Sequence, residues 1–217
     1  MRPSALARLL AVLAALAAAA PLPAAELVLT LKDSATAPIV DAVVSLQPLD
    51  APVPSPGVAA EVDVVQSDGE FQPLVTPIRA GTRVRFPNAD SIQHHVYSLS
   101  PAKRFDIPLH GGASAPAEEF SQPGVVSVGC NIHDWMRAYV VVLDTPWFAL
   151  SSDAGLARLE APAGRYRVDI WHYRLAKPDA YEITLAETEP LTATRTLVLR
   201  RDRRPARAPE SGGGGYR

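Results

Sequence analysis

The chain has 217 residues, of which 21 are Lys or Arg and 23 are Asp or Glu, so its formal net charge at pH 7 is −2. This balance gives no indication of nucleic acid as a partner, because proteins that bind its phosphate backbone usually carry a basic surface. Proline is abundant, at 21 residues, and long helix-period patterns are missing after the first 25 residues, which indicates an all-β protein.

The first 25 residues have the organisation of a secretory signal peptide. Arg2 and Arg8 form a short positive region, residues 9–20 are a continuous apolar stretch, and cleavage is expected near Ala24 or Ala25. The apolar stretch is too short to span a bilayer comfortably, which favours export over the alternative of an uncleaved anchor. About 190 residues remain, enough for one large or two small domains. We expect them in the periplasm, without membrane insertion.

Two strand patterns and a proline-rich segment occupy residues 26–57. The apolar runs 27–31 and 42–46 are separated by a polar turn at 33–36. Four prolines follow within 48–57, so this segment is predicted to be an extended linker rather than part of a sheet.

Short strand patterns with frequent turn signals fill residues 58–145. Val62 and Val64 alternate with polar residues, and Val84 and Phe86 alternate with arginines. Several short alternating segments separated by turns are typical of a β-sandwich or barrel.

Three side chains that bind metals fall together in residues 129–136. Cys130, His133 and Met136 have the spacing Cys-x2-His-x2-Met, in a predicted loop between two apolar strands. Soft and borderline donors rarely cluster by accident, so this spacing favours a metal site over a buried free cysteine beside a surface histidine. The single cysteine cannot form an internal disulfide, and a bound metal would protect its thiol in an oxidising compartment.

A second imidazole must come from elsewhere in the chain, and His94 and His95 are the candidates. Neighbouring residues on a strand face opposite ways, so regular extended backbone allows only one of them to reach the metal. Two imidazoles, a thiolate and a weak axial thioether form the donor set of a blue-copper electron-transfer site. His110, in the Gly- and Pro-interrupted segment 103–124, is expected to be a solvated loop histidine, with a further metal ligand as the alternative.

Residues 58–145 resemble the cupredoxins, the family of plastocyanin, pseudoazurin and amicyanin. The resemblance rests on Asp68-Gly69-x-Phe71-x-Pro73, Ala80-Gly81, Val84-x-Phe86-x-Asn88, the histidine six residues after that asparagine, and Cys130-x2-His133-x2-Met136 followed by Arg137. It implies a cupredoxin Greek-key β-sandwich that holds one type 1 copper.

The resemblance also assigns roles within the site. It places copper at His94, Cys130, His133 and Met136, since His94 keeps the Asn-to-His spacing of the family. It implies that Asn88 hydrogen-bonds across to the cysteine loop. His95 departs from the family pattern, and we expect it to form a hydrogen bond that orients the site.

Residues 146–200 form a second group of strand patterns. Strand 165–171 alternates cleanly, and Pro162-x-Gly164-x-Tyr166 precedes and enters it, which resembles the second half of a carboxypeptidase-regulatory-like β-sandwich. Residues 38–46 are similar to the first half of that family. The fold class is therefore all-β, a cupredoxin sandwich plus a second small sandwich into which the copper module would be inserted; tandem domains are the alternative. His172 is expected to be a structural or surface residue, and residues 201–217 a disordered tail.

The function that follows is an exported blue-copper carrier that transfers single electrons between a protein donor and a protein acceptor. No enzymatic activity is expected, because the sequence offers no second metal cluster for an oxidase or reductase. A periplasmic copper chaperone or store and a non-redox β-sandwich binding module are the alternatives. Ile132 and Trp135 are expected to form an apolar docking ring around His133, and Asp134 would favour a basic partner.

Overall fold

The computed structural model describes residues 24–203, except residues 56, 58, 59 and 113. The signal-peptide interpretation therefore lies outside the described residues up to residue 23, and the interpretation of the tail lies outside them from residue 204. The described chain is all-β, with 17 strands. No helix in that part of the chain is long and apolar enough to cross a membrane.

The strands form five sheets. In chain order they are β1 (Ala24–Asp33), β2 (Val43–Pro48), β3 (Glu61–Asp63), β4 (Val65–Ser67), β5 (Glu70–Gln72), β6 (Val75–Arg79), β7 (Thr82–Arg85), β8 (His94–Ser100), β9 (Lys103–His110), β10 (Ala117–Phe120), β11 (Gly124–Gly129), β12 (Arg137–Leu143), β13 (Phe148–Leu150), β14 (Leu156–Pro162), β15 (Gly164–Trp171), β16 (Asp179–Leu185) and β17 (Leu191–Leu197).

One sandwich joins the two ends of the described chain. Its sheets have the strand orders β14-β1-β17 and β13-β2-β15-β16. The pairing expected between the N-terminal strands and residues 146–200 is therefore present, with β1 antiparallel to β14 and parallel to β17. Leu27, Leu29 and Leu31 face its core with no exposed surface, because alternate residues of a strand point to the same side of the sheet.

The strands between β2 and β13 form a second sandwich. Its sheets have the orders β10-β7-β3 and β6-β12-β11-β8-β9, and the β4–β5 hairpin adds a short two-stranded sheet. Its core contains Phe86 and Phe120, together with Val126 and Val128 of β11 and Val140 and Val142 of β12. Cys130 and Met136 belong to the same buried cluster, so the predicted ligand loop closes one part of the hydrophobic core.

The two sandwiches meet through a small apolar contact. Val43 of one sandwich packs with Val75 and Val141 of the other. The Tyr139 ring also lies 5.5 Å from the rings of Trp171 and Tyr173, measured between centroids. Residues of β12 therefore connect the ligand loop to the junction between the sandwiches.

Candidate metal centre

The ligand loop is held at both ends by the β11–β12 ladder. Cys130 directly follows β11 and Met136 directly precedes β12, where Gly129 pairs with Arg137. Inside the loop, the Cys130 N–H donates to the Met136 carbonyl at 3.3 Å and the Met136 N–H donates to the His133 carbonyl at 3.0 Å. This antiparallel pairing brings the first and last residues of the Cys-x2-His-x2-Met motif together, although they are not neighbours in the sequence.

His94 reaches the same place from a neighbouring strand. It is the first residue of β8, which lies beside β11 in the five-stranded sheet, and it has no exposed surface. Its Nδ1 atom lies 3.1 Å from Nδ1 of His133, and Cys130 Sγ lies 3.7 Å from that same His133 atom. One donor atom from each of these three residues lies within 4.8 Å of the other two.

These separations fit a single metal ion. Bonds of about 2.0 Å to nitrogen and about 2.3 Å to sulfur, as zinc makes, would allow two nitrogens up to about 4.0 Å apart and a nitrogen–sulfur pair up to about 4.3 Å apart. Both measured pairs lie inside those limits. Met136 is 2% exposed and packs in the same core cluster as Cys130, which is a suitable environment for a weakly bound thioether.

Asp90 orients the His94 ring. Its Oδ2 atom lies 2.7 Å from His94 Nε2, on the side of the ring opposite to Nδ1. A carboxylate at this position accepts a hydrogen bond from the Nε2–H, so the tautomer of His94 that it favours presents the Nδ1 lone pair to the cluster. Burial alone would raise the pKa of Asp90, but hydrogen bonds from the Gly69 N–H, from His94 and from the Asp68 N–H more than offset it, and the pKa is lowered.

The turn between β4 and β5 supports the centre from both sides. The N–H groups of Asp68 and Gly69 donate to Asp90 at 2.7 and 3.0 Å, which fixes the carboxylate behind His94. The Gly69 carbonyl accepts a hydrogen bond from the Trp135 indole at 2.9 Å, and that indole lies 5.0 Å from the His133 ring. One short turn thus holds groups that contact both imidazoles.

Asp90 was not among the predicted site residues. A signal was available, since metal-binding histidines commonly donate their second ring N–H to a carboxylate, and Asp90 lies four residues before His94. Asp68 and Gly69 belong to the motif that carries the family resemblance, but the contacts of Gly69 with Asp90 and Trp135 span 21 and 66 positions and depend on the folded chain.

The interpretation of Asn88 is corrected by the structure. Its side-chain amide donates to the carbonyls of Ile92 and His110, and its side-chain carbonyl accepts from the Asp90 N–H. None of these partners, all within the described residues, belongs to the cysteine loop, so Asn88 shapes the loop before β8 instead. The 68–69 turn provides the connection that had been expected of Asn88.

His95 also has a different role from the one expected. Its Nε2 atom lies 2.7 Å from Asp106 Oδ1, and its ring packs 5.5 Å from that of Tyr97. Because it follows His94 on a strand, its side chain points to the other face of the sheet. It therefore does not orient the metal centre.

His110 is buried, which contradicts the expectation of a solvated loop residue. It ends strand β9, where it pairs with His94, and is 9% exposed. Its Nε2 lies 2.9 Å from the Phe86 carbonyl and its Nδ1 lies 3.1 Å from the Pro108 carbonyl. The expected long connection is largely β-structure, in β9 and β10, and His110 is not part of the metal cluster. His172 was expected to be a structural or a surface residue. At 4% exposure it is buried, which agrees with the structural role.

His133 differs from the other donors in its exposure. It is half-buried, whereas its loop neighbours Ile132 and Asp134 are exposed and Trp135 is half-buried. Burial lowers the pKa of His133, with a smaller contribution from repulsion by His94, and Asp90 opposes the shift. The ring is therefore biased towards the neutral form that donates a lone pair.

No family model and no curated protein matches this chain. Solved structures are similar to part of it. A Cu-containing nitrite reductase from Thermus scotoductus SA-01 is 24% identical with a TM-score of 0.37, over 45% of this chain and 25% of the reductase. The chain thus matches about a quarter of that protein's length.

Two smaller proteins are similar to this chain at comparable identity and TM-score. A purple cupredoxin from Nitrosopumilus maritimus is 26% identical with a TM-score of 0.34, over 39% of this chain and 99% of that one. A mutant of amicyanin in its oxidised state is 22% identical with a TM-score of 0.35, over 39% of this chain and 82% of that one. This chain thus spans most of the length of both smaller proteins, at low TM-scores.

Proposed function

We propose that this protein binds one copper ion at His94, Cys130, His133 and Met136 and carries single electrons between protein partners. The observation that carries the proposal is the convergence of two imidazole nitrogens and one cysteine sulfur within 4.8 Å, beside a buried methionine. A thiolate with two imidazoles and a weak thioether suits copper in both of its common oxidation states. When bound, copper supplies a one-electron change between Cu(II) and Cu(I).

The chain's own residues would keep the donor atoms in place during that change. His94 is fully buried and held by Asp90, and Cys130 is 4% exposed at the end of β11. Donors fixed by strands and by a hydrogen-bonded carboxylate have little freedom to rearrange, which suits electron transfer better than release of the ion. This favours a carrier over a copper chaperone or store.

The loop around His133 is the natural contact point for a partner. His133 is the most exposed of the four proposed ligands, and Ile132 next to it is 51% exposed. An apolar side chain beside a partly exposed imidazole allows a redox partner to approach the centre closely without removing many charges from water. Periplasmic location and the absence of substrate turnover complete the proposal.

The test is addition of Cu(II) to the purified chain, followed by its visible spectrum. We expect one copper per chain and an intense thiolate-to-copper charge-transfer band. Cys130→Ser should abolish this band, and Met136→Leu should leave it visible with a changed reduction potential. His94→Ala should weaken copper binding, whereas the matched change His95→Ala should not, since His95 faces Asp106.

A colourless protein with a full complement of Cu(II) would refute the blue-copper assignment. The carrier and chaperone functions differ in retention of the metal. A carrier keeps its copper through repeated reduction and oxidation, whereas transfer of Cu(I) to a competing chelator within a few cycles would replace the carrier by a chaperone.

A further inference from the structure

A cavity of about 270 Å³ lies where the two sandwiches meet. Residues from β12 form one side of it, and the segments that follow β15 and β17 form the other. Its lining consists of Arg137, Tyr139, Tyr173, Arg174, Leu175, Arg200, Arg201, Asp202 and Arg203. It is separate from the metal donors, although Arg137 directly follows Met136 in the chain.

The lining carries a large excess of positive charge. Five of its nine residues are arginines and one is an aspartate. In the described part of the chain, none of these five guanidinium groups has a carboxylate oxygen within 4.0 Å. Several arginines elsewhere are paired with carboxylates, for example Arg85 with Asp63 and Arg195 with Asp179. The lining thus holds five arginines and a single carboxylate, a clear excess of positive charge.

Hydrogen bonds and ring stacking hold the segments that carry these arginines. The Arg174 Nε donates to the Arg200 carbonyl at 2.7 Å, and the Arg200 N–H donates to the Arg174 carbonyl at 2.9 Å. The rings of Tyr139 and Tyr173 stack at 5.5 Å with an angle of 11° between their planes. These contacts tie the terminal segment to the loop after β15 and give the cavity an aromatic wall.

We propose that this cavity binds a multivalent oxyanion, a polyphosphate or a polycarboxylate. Guanidinium groups bind phosphate and carboxylate oxygens through paired, charge-assisted hydrogen bonds. A single monovalent anion would leave most of the five positive charges uncompensated, whereas a multivalent anion would neutralise several at once. Because the lining comes from both sandwiches, the bound anion would also link them.

The experiment is isothermal titration calorimetry on the metal-free full chain at constant ionic strength, with inorganic diphosphate and a tri-glutamate peptide as probes. Metal-free protein is used because diphosphate itself binds metal ions. The result therefore tests the anion site alone, and its failure would leave the proposed copper function unaffected. We expect saturable binding of one probe molecule per chain. Tighter binding of diphosphate assigns a phosphate ligand, and tighter binding of tri-glutamate assigns a polycarboxylate.

The double variant Arg201→Gln/Arg203→Gln removes two exposed charges from the cavity, and we expect it to weaken binding about tenfold or more. The matched control Arg83→Gln/Arg104→Gln removes two exposed charges from the other sandwich and should leave binding unchanged. No saturable binding of either probe to the wild-type chain would overturn the proposal. Equal weakening in both double variants would also overturn it, since binding would then depend on total charge alone.

Discussion

Replacement of Asp90 by Asn tests how the structure positions His94. Both carboxylate oxygens of Asp90 accept hydrogen bonds, Oδ1 from the Asp68 N–H and Oδ2 from the Gly69 N–H and from His94. Asparagine has the same shape but one oxygen and one NH₂ group. Whichever way the amide is turned, its NH₂ group faces a donor, either the Asp68 N–H or the Gly69 N–H and His94 Nε2. The variant therefore loses either the anchor of the side chain or the correct tautomer of His94.

The size of the effect follows from burial. His94 is fully buried and the Asp90 side chain is 16% exposed, so water has little access to replace the lost partner. A hydrogen bond to a charged group contributes about 1.5–3 kcal/mol. Loss of a partner that holds a metal ligand typically lowers metal affinity by about 10- to 100-fold, which is the same range of free energy. We expect Asp90→Asn to weaken copper binding by that factor. We also expect a higher reduction potential, because the less basic imidazole stabilises Cu(II) less.

Competition with a chelator of known affinity measures the binding change, and voltammetry measures the potential. Asp106→Asn is the matched control, since Asp106 also lies 2.7 Å from a histidine Nε2 but is 77% exposed and contacts His95. The control should alter neither quantity. Copper affinity of Asp90→Asn within about twofold of wild type, with an unchanged potential, would refute the positioning role of Asp90.

Two further predictions concern the fold. Gly155→Ala should destabilise the chain in urea unfolding by about 3 kcal/mol or more, because φ is +70° and a Cβ would lie 2.4 Å from the Leu31 carbonyl oxygen. Gly81→Ala, with φ +90° and open space around the Cβ, should cost only about 1 kcal/mol, and equal losses would contradict the close-contact explanation. Residues 58–145 alone should fold and bind copper, whereas residues 146–200 alone should be unfolded, since β14 and β15 would lose the partners β1 and β2. A well-dispersed NMR spectrum of the 146–200 fragment would contradict that dependence.

Local patterns were sufficient to predict much of the molecule. The alternation of apolar residues specified strands, because the side-chain period of a strand depends only on neighbouring positions. The Cys-x2-His-x2-Met spacing placed Cys130, His133 and Met136 in one loop, since a segment this short between two paired strands leaves little choice. The family spacing also selected His94 over His95, and the structure places His94 in the cluster.

Other features required the folded chain. Asp90 and the 68–69 turn meet the metal centre through contacts between segments far apart in sequence, and the error about Asn88 came from assigning that connection to the wrong residue. His110 is buried because β9 extends to it and pairs it with His94. The arginines of the junction cavity come from three segments and become one cluster only when the sandwiches meet.

The division between the two kinds of feature has a physical cause. Strands and donor residues could be read from the chain because periodicity and short spacings are properties of neighbouring positions. The groups that orient those donors, and the place where charges gather, depend on how distant strands pair and pack. Asp90 behind His94 and the five arginines at the junction therefore became visible only in the folded molecule.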